Sequence, residues 1–186
     1  MITRPEGYEE AQAFTGEFEP LPSSGQVCRI MDAVEVKTKK GDPMLELSLD
    51  IAEGEFSDFF AKLYRSSTRE IKKWGCVYRQ MLTSDSAAYL KGLIDDIEKS
   101  NSFKWNWEET TLKGKLIGML FQRREYEKRD GTLGWFTEPI SPRSVQAIRD
   151  GNFTVPKDKP LYQENTNPYT PPEGFVPAPD DDDLPF

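Results

Sequence analysis

The sequence predicts a mainly β fold: a five-stranded barrel with a helix between its third and fourth strands, followed by a disordered acidic C-terminal tail. Three observations lead there. Leu45, Leu47, Leu49 and Ile51 alternate with Glu46, Ser48 and Asp50, the pattern of a strand with one buried and one wet face. Leu90, Leu93, Ile94 and Ile97 recur at helical spacing and form one apolar stripe. Asp180, Asp181, Asp182 and Asp183 form a like-charged run that cannot pack, so the chain's end is expected to be solvated.

The 186 residues suit one domain plus appendages. We divide them into an N-terminal arm (1–24), a folded domain (25–155), a Pro-rich linker (156–179) and an acidic tip (180–186). In the arm, Glu9 to Phe14 is read as a helical turn, and Tyr8, Phe14 and Phe18 as pins onto the domain. No apolar run reaches the ~20 residues of a membrane span, and the N-terminus lacks a secretory apolar segment, so a cytosolic protein is expected. Histidine is absent, and Cys28 and Cys76 stand far apart. This argues against zinc sites and against Ser/His or Cys/His chemistry; no cofactor, metal site or catalytic residue is expected.

In chain order, Gln26–Val36 reads as a strand, Lys37–Pro43 as a turn-rich loop, and Leu45–Ile51 as the alternating strand. Phe56–Tyr64, rich in aromatics, is assigned as the third strand. Residues 65–82 are left as a short helix or an ordered loop. Ser84 or Asp85 caps the amphipathic helix, which ends near Ser100 and Asn101. Trp105 and Trp107 sit in a connector and are assigned to packing. Leu112–Tyr126 is a long strand in which Gly114 and Gly118 suggest a bend or a close approach. Lys128-Arg129-Asp130-Gly131 makes a hairpin turn, and Leu133–Ile140 returns. Ser141-Pro142 is read as the start of a last helix, stopped by Gly151. This order is that of an OB-type barrel.

Net charge is −8, which by itself disfavours a nucleic-acid partner, but the charge is segregated. From Phe56 to Arg129, bases outnumber acids by about five, and both flanks are acidic. Binding single strands without sequence preference needs cations for phosphates and exposed rings for bases. Candidate rings are Tyr64, Trp74, Tyr78, Phe121, Tyr126, Trp135 and Phe136. Candidate cations are Lys37, Lys39 and Lys40 in the first loop, and Arg65, Arg69, Lys72, Lys73 and Arg79 in the middle. Lys113, Lys115, Arg123, Arg124, Lys128 and Arg129 complete the set, the last four flanking the final hairpin.

The chain closes on Asp180-Asp181-Asp182-Asp183-Leu184-Pro185-Phe186. This resembles the acidic C-terminal tip of bacterial single-stranded-DNA-binding proteins, typically Asp-Asp-Asp-Ile-Pro-Phe, with Leu184 in place of Ile. Trp74–Gln80, Phe103–Trp107 and Leu112–Gly118 resemble proteins encoded by phages and mobile elements of Gram-positive bacteria, near replication and recombination genes. The resemblance implies single-stranded-DNA binding and protection in phage or mobile-element replication and recombination, inside a bacterial host cell. It implies that residues 180–186 recruit replication or recombination proteins. The acidic run would also occupy the basic groove when DNA is absent. A homo-oligomer is left open. Two other readings compete: a protein-only acidic adaptor or DNA mimic that binds a recombinase, and a magnesium nuclease built on Asp95, Asp96 and Glu98. One helix carries all three carboxylates, where a solvated face explains them better.

Overall fold

The computed structural model describes residues 20–161. Five antiparallel strands form one sheet in the order β3-β2-β1-β4-β5. They are β1 (Ser24–Lys37), β2 (Pro43–Ile51), β3 (Val77–Met81), β4 (Leu116–Glu127) and β5 (Leu133–Arg143). The edge strands β3 and β5 meet, so the sheet curls into a nearly closed barrel. Long β1 serves both halves. Cys28 to Lys37 pair with β2, Ser24 to Arg29 pair with β4, and a bulge between Ile30 and Asp32 bends the strand.

Three helices accompany the sheet: α1 (Phe59–Ser66), α2 (Ala87–Asn101) and α3 (Val145–Arg149). The helix expected between the third and fourth strands is α2, with Leu93 and Ile97 fully buried. Its end is tied to the start of β4 by the Asn101 side chain. Asn101 Nδ2 donates to the Leu116 carbonyl at 2.7 Å, and the Leu116 N–H donates to Asn101 Oδ1 at 2.8 Å. Buried residues of all layers, among them Ile30, Leu47, Leu49, Leu93 and Ile117, form one core.

The structure corrects the third strand. Phe56–Tyr64 is not extended; residues 59–66 are α1, and the third strand is Val77–Met81. The aromatic run follows the helical period, because Phe56, Phe59, Phe60, Leu63 and Tyr64 fall at i, i+3, i+4, i+7 and i+8. Phe60 stacks on Phe121 of β4 with ring centroids 6.1 Å apart, and Phe59 meets Phe60 edge-on at 5.1 Å. The helix start depends on a distant residue. Asp58, the cap position, is left-handed and caps nothing. Asp50 does so from β2: although on the outward face by alternation, it is only 3% exposed. It accepts the N–H groups of Ile51 and Phe60 on Oδ1 and of Ala61 on Oδ2, at 2.9, 3.0 and 3.1 Å.

Three boundaries also move. β4 begins at Leu116; Leu112 lies in a preceding 3₁₀ turn, and Gly114 takes φ +80°. Ser141 and Pro142 belong to β5, and α3 starts after Ser144, whose hydroxyl accepts the Ala147 N–H at 3.2 Å. Pro139 and Pro142 are tolerated because β5 is an edge strand. Gly118 is a close approach: a Cβ there would collide with Ile148 of α3 and with the Arg143 carbonyl. Finally, residues 157–161, assigned to the linker, lie along β4. β1 has no partner for β4 beyond Phe121, and the vacated edge takes up Lys159 in a parallel bridge to Arg124.

Candidate nucleic-acid interface

Strand register sorts the candidate residues between the two ends of the barrel. The Lys37–Asp42 loop lies beyond the C-terminal end of β1, where Lys37 pairs with Pro43. The β4–β5 hairpin lies beyond its N-terminal end, since Phe121 pairs with Ser24 and β4 continues outward to Glu127. The connection from β2 to β3, which contains α1, starts at that same end, where Ile51 pairs with Cys28. The two loops expected to embrace one strand therefore sit at opposite ends of β1. Lys37, Lys39 and Lys40 are exposed but remote from the hairpin along the strand.

The α1 connection brings together rings and cations most densely. Tyr64 and Trp74 lie 5.6 Å apart at 42°. Trp74 is anchored by its Nε1 donating to the Leu49 carbonyl at 2.7 Å. Tyr64 is 38% exposed, and Lys72 Nζ stands 5.8 Å from its ring centroid while donating to the Arg65 carbonyl. Arg65, Arg69 and Lys73 are exposed alongside. Residues 62–74 hold five cations and one acid, Glu70. Sequence reading omitted Lys62 from this set, although it precedes Arg65 on the same helix.

The hairpin is different. Alternation places Arg123 and Trp135 on one face, with the guanidinium 4.7 Å from the ring centroid. Arg124, Tyr126 and Phe136 share the other, the two rings meeting edge-on at 5.6 Å. Arg123 faces Asp158 at 3.5 Å, and Arg124 faces Glu138 at 3.6 Å. Between Arg123 and Glu138, four acids balance four cations, Lys128 and Arg129 among them. The rings are therefore presented on a surface of no net charge. Tyr126, Phe136 and Leu161 line a hollow of about 510 Å³.

Several candidates are committed elsewhere. Phe121 is fully buried against Phe60 and is unavailable to a base. Tyr78 stands opposite Leu47 and packs on the core, and burial raises its hydroxyl pKa. Arg79 pairs with Glu46 at 2.9 Å, and Lys115 lies over the Phe103 ring at 4.4 Å. Trp105 packs against the core as expected, but Trp107 does not: it is 71% exposed, with φ +67°. Glu98 gives one carboxylate oxygen to Lys104 and the other to the Trp105 N–H. Among the described residues no three acids, cysteines or histidines gather as metal ligands would, and no helix is long and apolar enough to cross a membrane.

The outer face of β1, β2 and β3 carries Met31, Val34, Val36, Met44, Val77 and Met81 and no aromatic ring. OB folds use that face for oligonucleotides. Among the described residues, that face therefore offers no ring on which a base could stack. Residues 180–186 and the arm residues Tyr8, Phe14 and Phe18 lie outside the described residues. No family model matches this chain, and no curated protein matches it.

Proposed function

We propose that this protein binds single-stranded DNA without sequence preference, and protects it, during phage or mobile-element replication and recombination. The observation that carries this reading is the α1 connection. There an exposed tyrosine, with Lys72 over its ring, and an anchored tryptophan share one connection with exposed Arg65, Arg69 and Lys73. Rings take up bases at about 1–3 kcal/mol each, and cations take up the intervening phosphates. Tyr126 and Phe136 extend the path along the hairpin at the same end. The acidic total then matters little, because the charge a strand meets is local.

Residues 180–186 recruit a replication or recombination protein. Leu184, Pro185 and Phe186 enter its apolar pocket, and Asp180 to Asp183 meet its cations. The seating of residues 157–161 supports a second role for the acidic run. The Glu125 N–H donates to the Lys159 carbonyl at 2.9 Å, and the Lys159 N–H to the Arg123 carbonyl at 2.8 Å. Parallel pairing directs residues 157–161 along β4 toward the hairpin, so the described chain ends near the end of the barrel that carries α1.

Titration with oligo-dT tests the reading. We expect quenching of tryptophan fluorescence and a logarithm of affinity that falls linearly with the logarithm of salt. A protein-only adaptor or DNA mimic would show neither.

A further inference from the structure

The end of the barrel away from α1 carries a feature that DNA binding does not use. Two concavities, of about 360 and 170 Å³, share Leu90, Trp105 and Trp107. Ile94 adds to the first and Leu45 to the second, so the floor is apolar. Trp107 lies tilted on Trp105, with centroids 4.8 Å apart, and leaves most of its surface to solvent. Its backbone takes φ +67°, which is costly for a bulky residue. The rim is acidic. Lys104 is matched by Glu98 at 2.7 Å, which leaves Glu35, Asp95 and Glu109 against Lys91.

That charge selects among occupants. Residues 1–19 hold five glutamates and one arginine, and residues 162–186 hold six acids and no base. Both would be repelled. Among the described residues, the most exposed apolar side chain with basic neighbours in sequence is Ile71. It is 74% exposed, flanked by Arg69, Lys72 and Lys73, in the connection after α1. It has the apolar tip and cationic collar that the groove requires.

We infer that copies of this protein associate head to tail, Ile71 of one copy entering the Trp105–Trp107 groove of the next. The two surfaces lie at opposite ends of the barrel, so the contact is heterologous and propagates as a row. Arg69, Lys72 and Lys73 then face the next copy's acidic rim, so the row and a bound strand draw on the same cations; association itself needs no DNA and does not rest on the DNA-binding reading.

Sedimentation of the full chain without nucleic acid tests this, using Ile71→Asp and Trp107→Ala. Both side chains are exposed, and circular dichroism checks that each variant folds. Wild-type protein should show a mass that rises with concentration. Each variant alone should weaken association by at least about tenfold, the loss of a central anchor. Mixing the two variants should restore dimers and nothing larger, because one supplies an intact groove and the other an intact Ile71. A monomeric wild type overturns the inference. So does a mixture that stays monomeric, since a symmetric contact or an unrelated surface would behave that way. Binding of a short oligonucleotide by Trp107→Ala, whose change lies at the other end of the barrel, reports separately on DNA recognition.

Discussion

The salt dependence of binding is the sharpest consequence of where the cations lie. Arg65, Arg69, Lys72 and Lys73 are exposed on one connection, and in a single-strand complex each phosphate neutralised contributes about −0.7 to the slope of log affinity against log salt. Four contacts give a slope of about −3. Raising salt from about 50 to 200 mM should then weaken binding roughly 50-fold. Replacing Arg69, Lys72 and Lys73 together by alanine leaves one contact and a slope of about −0.7, so the same change should cost only about threefold. Arg123→Ala with Arg124→Ala is the comparison. Those guanidiniums already face Asp158 and Glu138, and the hairpin carries no net charge, so the slope should stay close to wild type. Fluorescence anisotropy of a labelled oligo-dT across salt concentrations measures both. The reasoning fails if the triple variant keeps the wild-type slope, and most plainly if the hairpin variant or one lacking Lys37, Lys39 and Lys40 loses it instead.

Other predictions concern single groups. Tyr64→Ala should weaken oligo-dT binding by about 1–3 kcal/mol while Tyr64→Phe keeps most of the affinity, because the ring face and not the hydroxyl meets the base; titration of both variants checks this. Asp50→Ala should destabilise the fold by about 1–3 kcal/mol in urea unfolding, because the Phe60 and Ala61 N–H groups at the start of α1 lose their acceptor. Burial raises the Asp50 pKa above its unfolded value, so the folded state binds that proton more tightly. Its contribution is therefore largest at low pH and declines as pH climbs from the ordinary carboxylate range through the raised value. Unfolding followed from about pH 4 to pH 7 should show wild type losing stability relative to Asp50→Asn, the reverse of the trend for a salt-bridged carboxylate. Deleting residues 180–186 should tighten DNA binding at low salt and abolish capture of a replication or recombination partner; no change in either property would remove any role for the tip.

Much of the barrel was readable where side-chain period was unambiguous. β2 alternates cleanly, α2 shows one apolar stripe, and the β4–β5 turn carries Asp130-Gly131, with Gly131 at φ +81°. The reading failed where aromatic content displaced period. Phe56 to Tyr64 has the composition of a strand and the spacing of a helix, and spacing decided. Val77–Met81 went unassigned because a five-residue strand offers too little alternation, and its pattern is inverted, with Tyr78 and Gln80 turned inward and the apolar Val77 and Met81 outward. The Asp50 cap was invisible, since it joins residues ten apart through the fold. At the candidate site, the charge run of residues 65–73 was legible as a list. Which rings are free was not: Phe121 and Tyr78 are taken by the core, while Trp107, assigned to packing, stands in solvent. Burial of a ring depends on which end of the barrel each helix closes, and local sequence does not carry that.

The central claim is that unpaired strands are what this domain grips. Competition at physiological salt tests it most directly: labelled oligo-dT bound to the full chain, challenged by unlabelled single strands or by duplex of equal length. Displacement by single strands at far lower concentration than by duplex is the result expected. Failure to bind oligo-dT at all, or equal displacement by both, would contradict it.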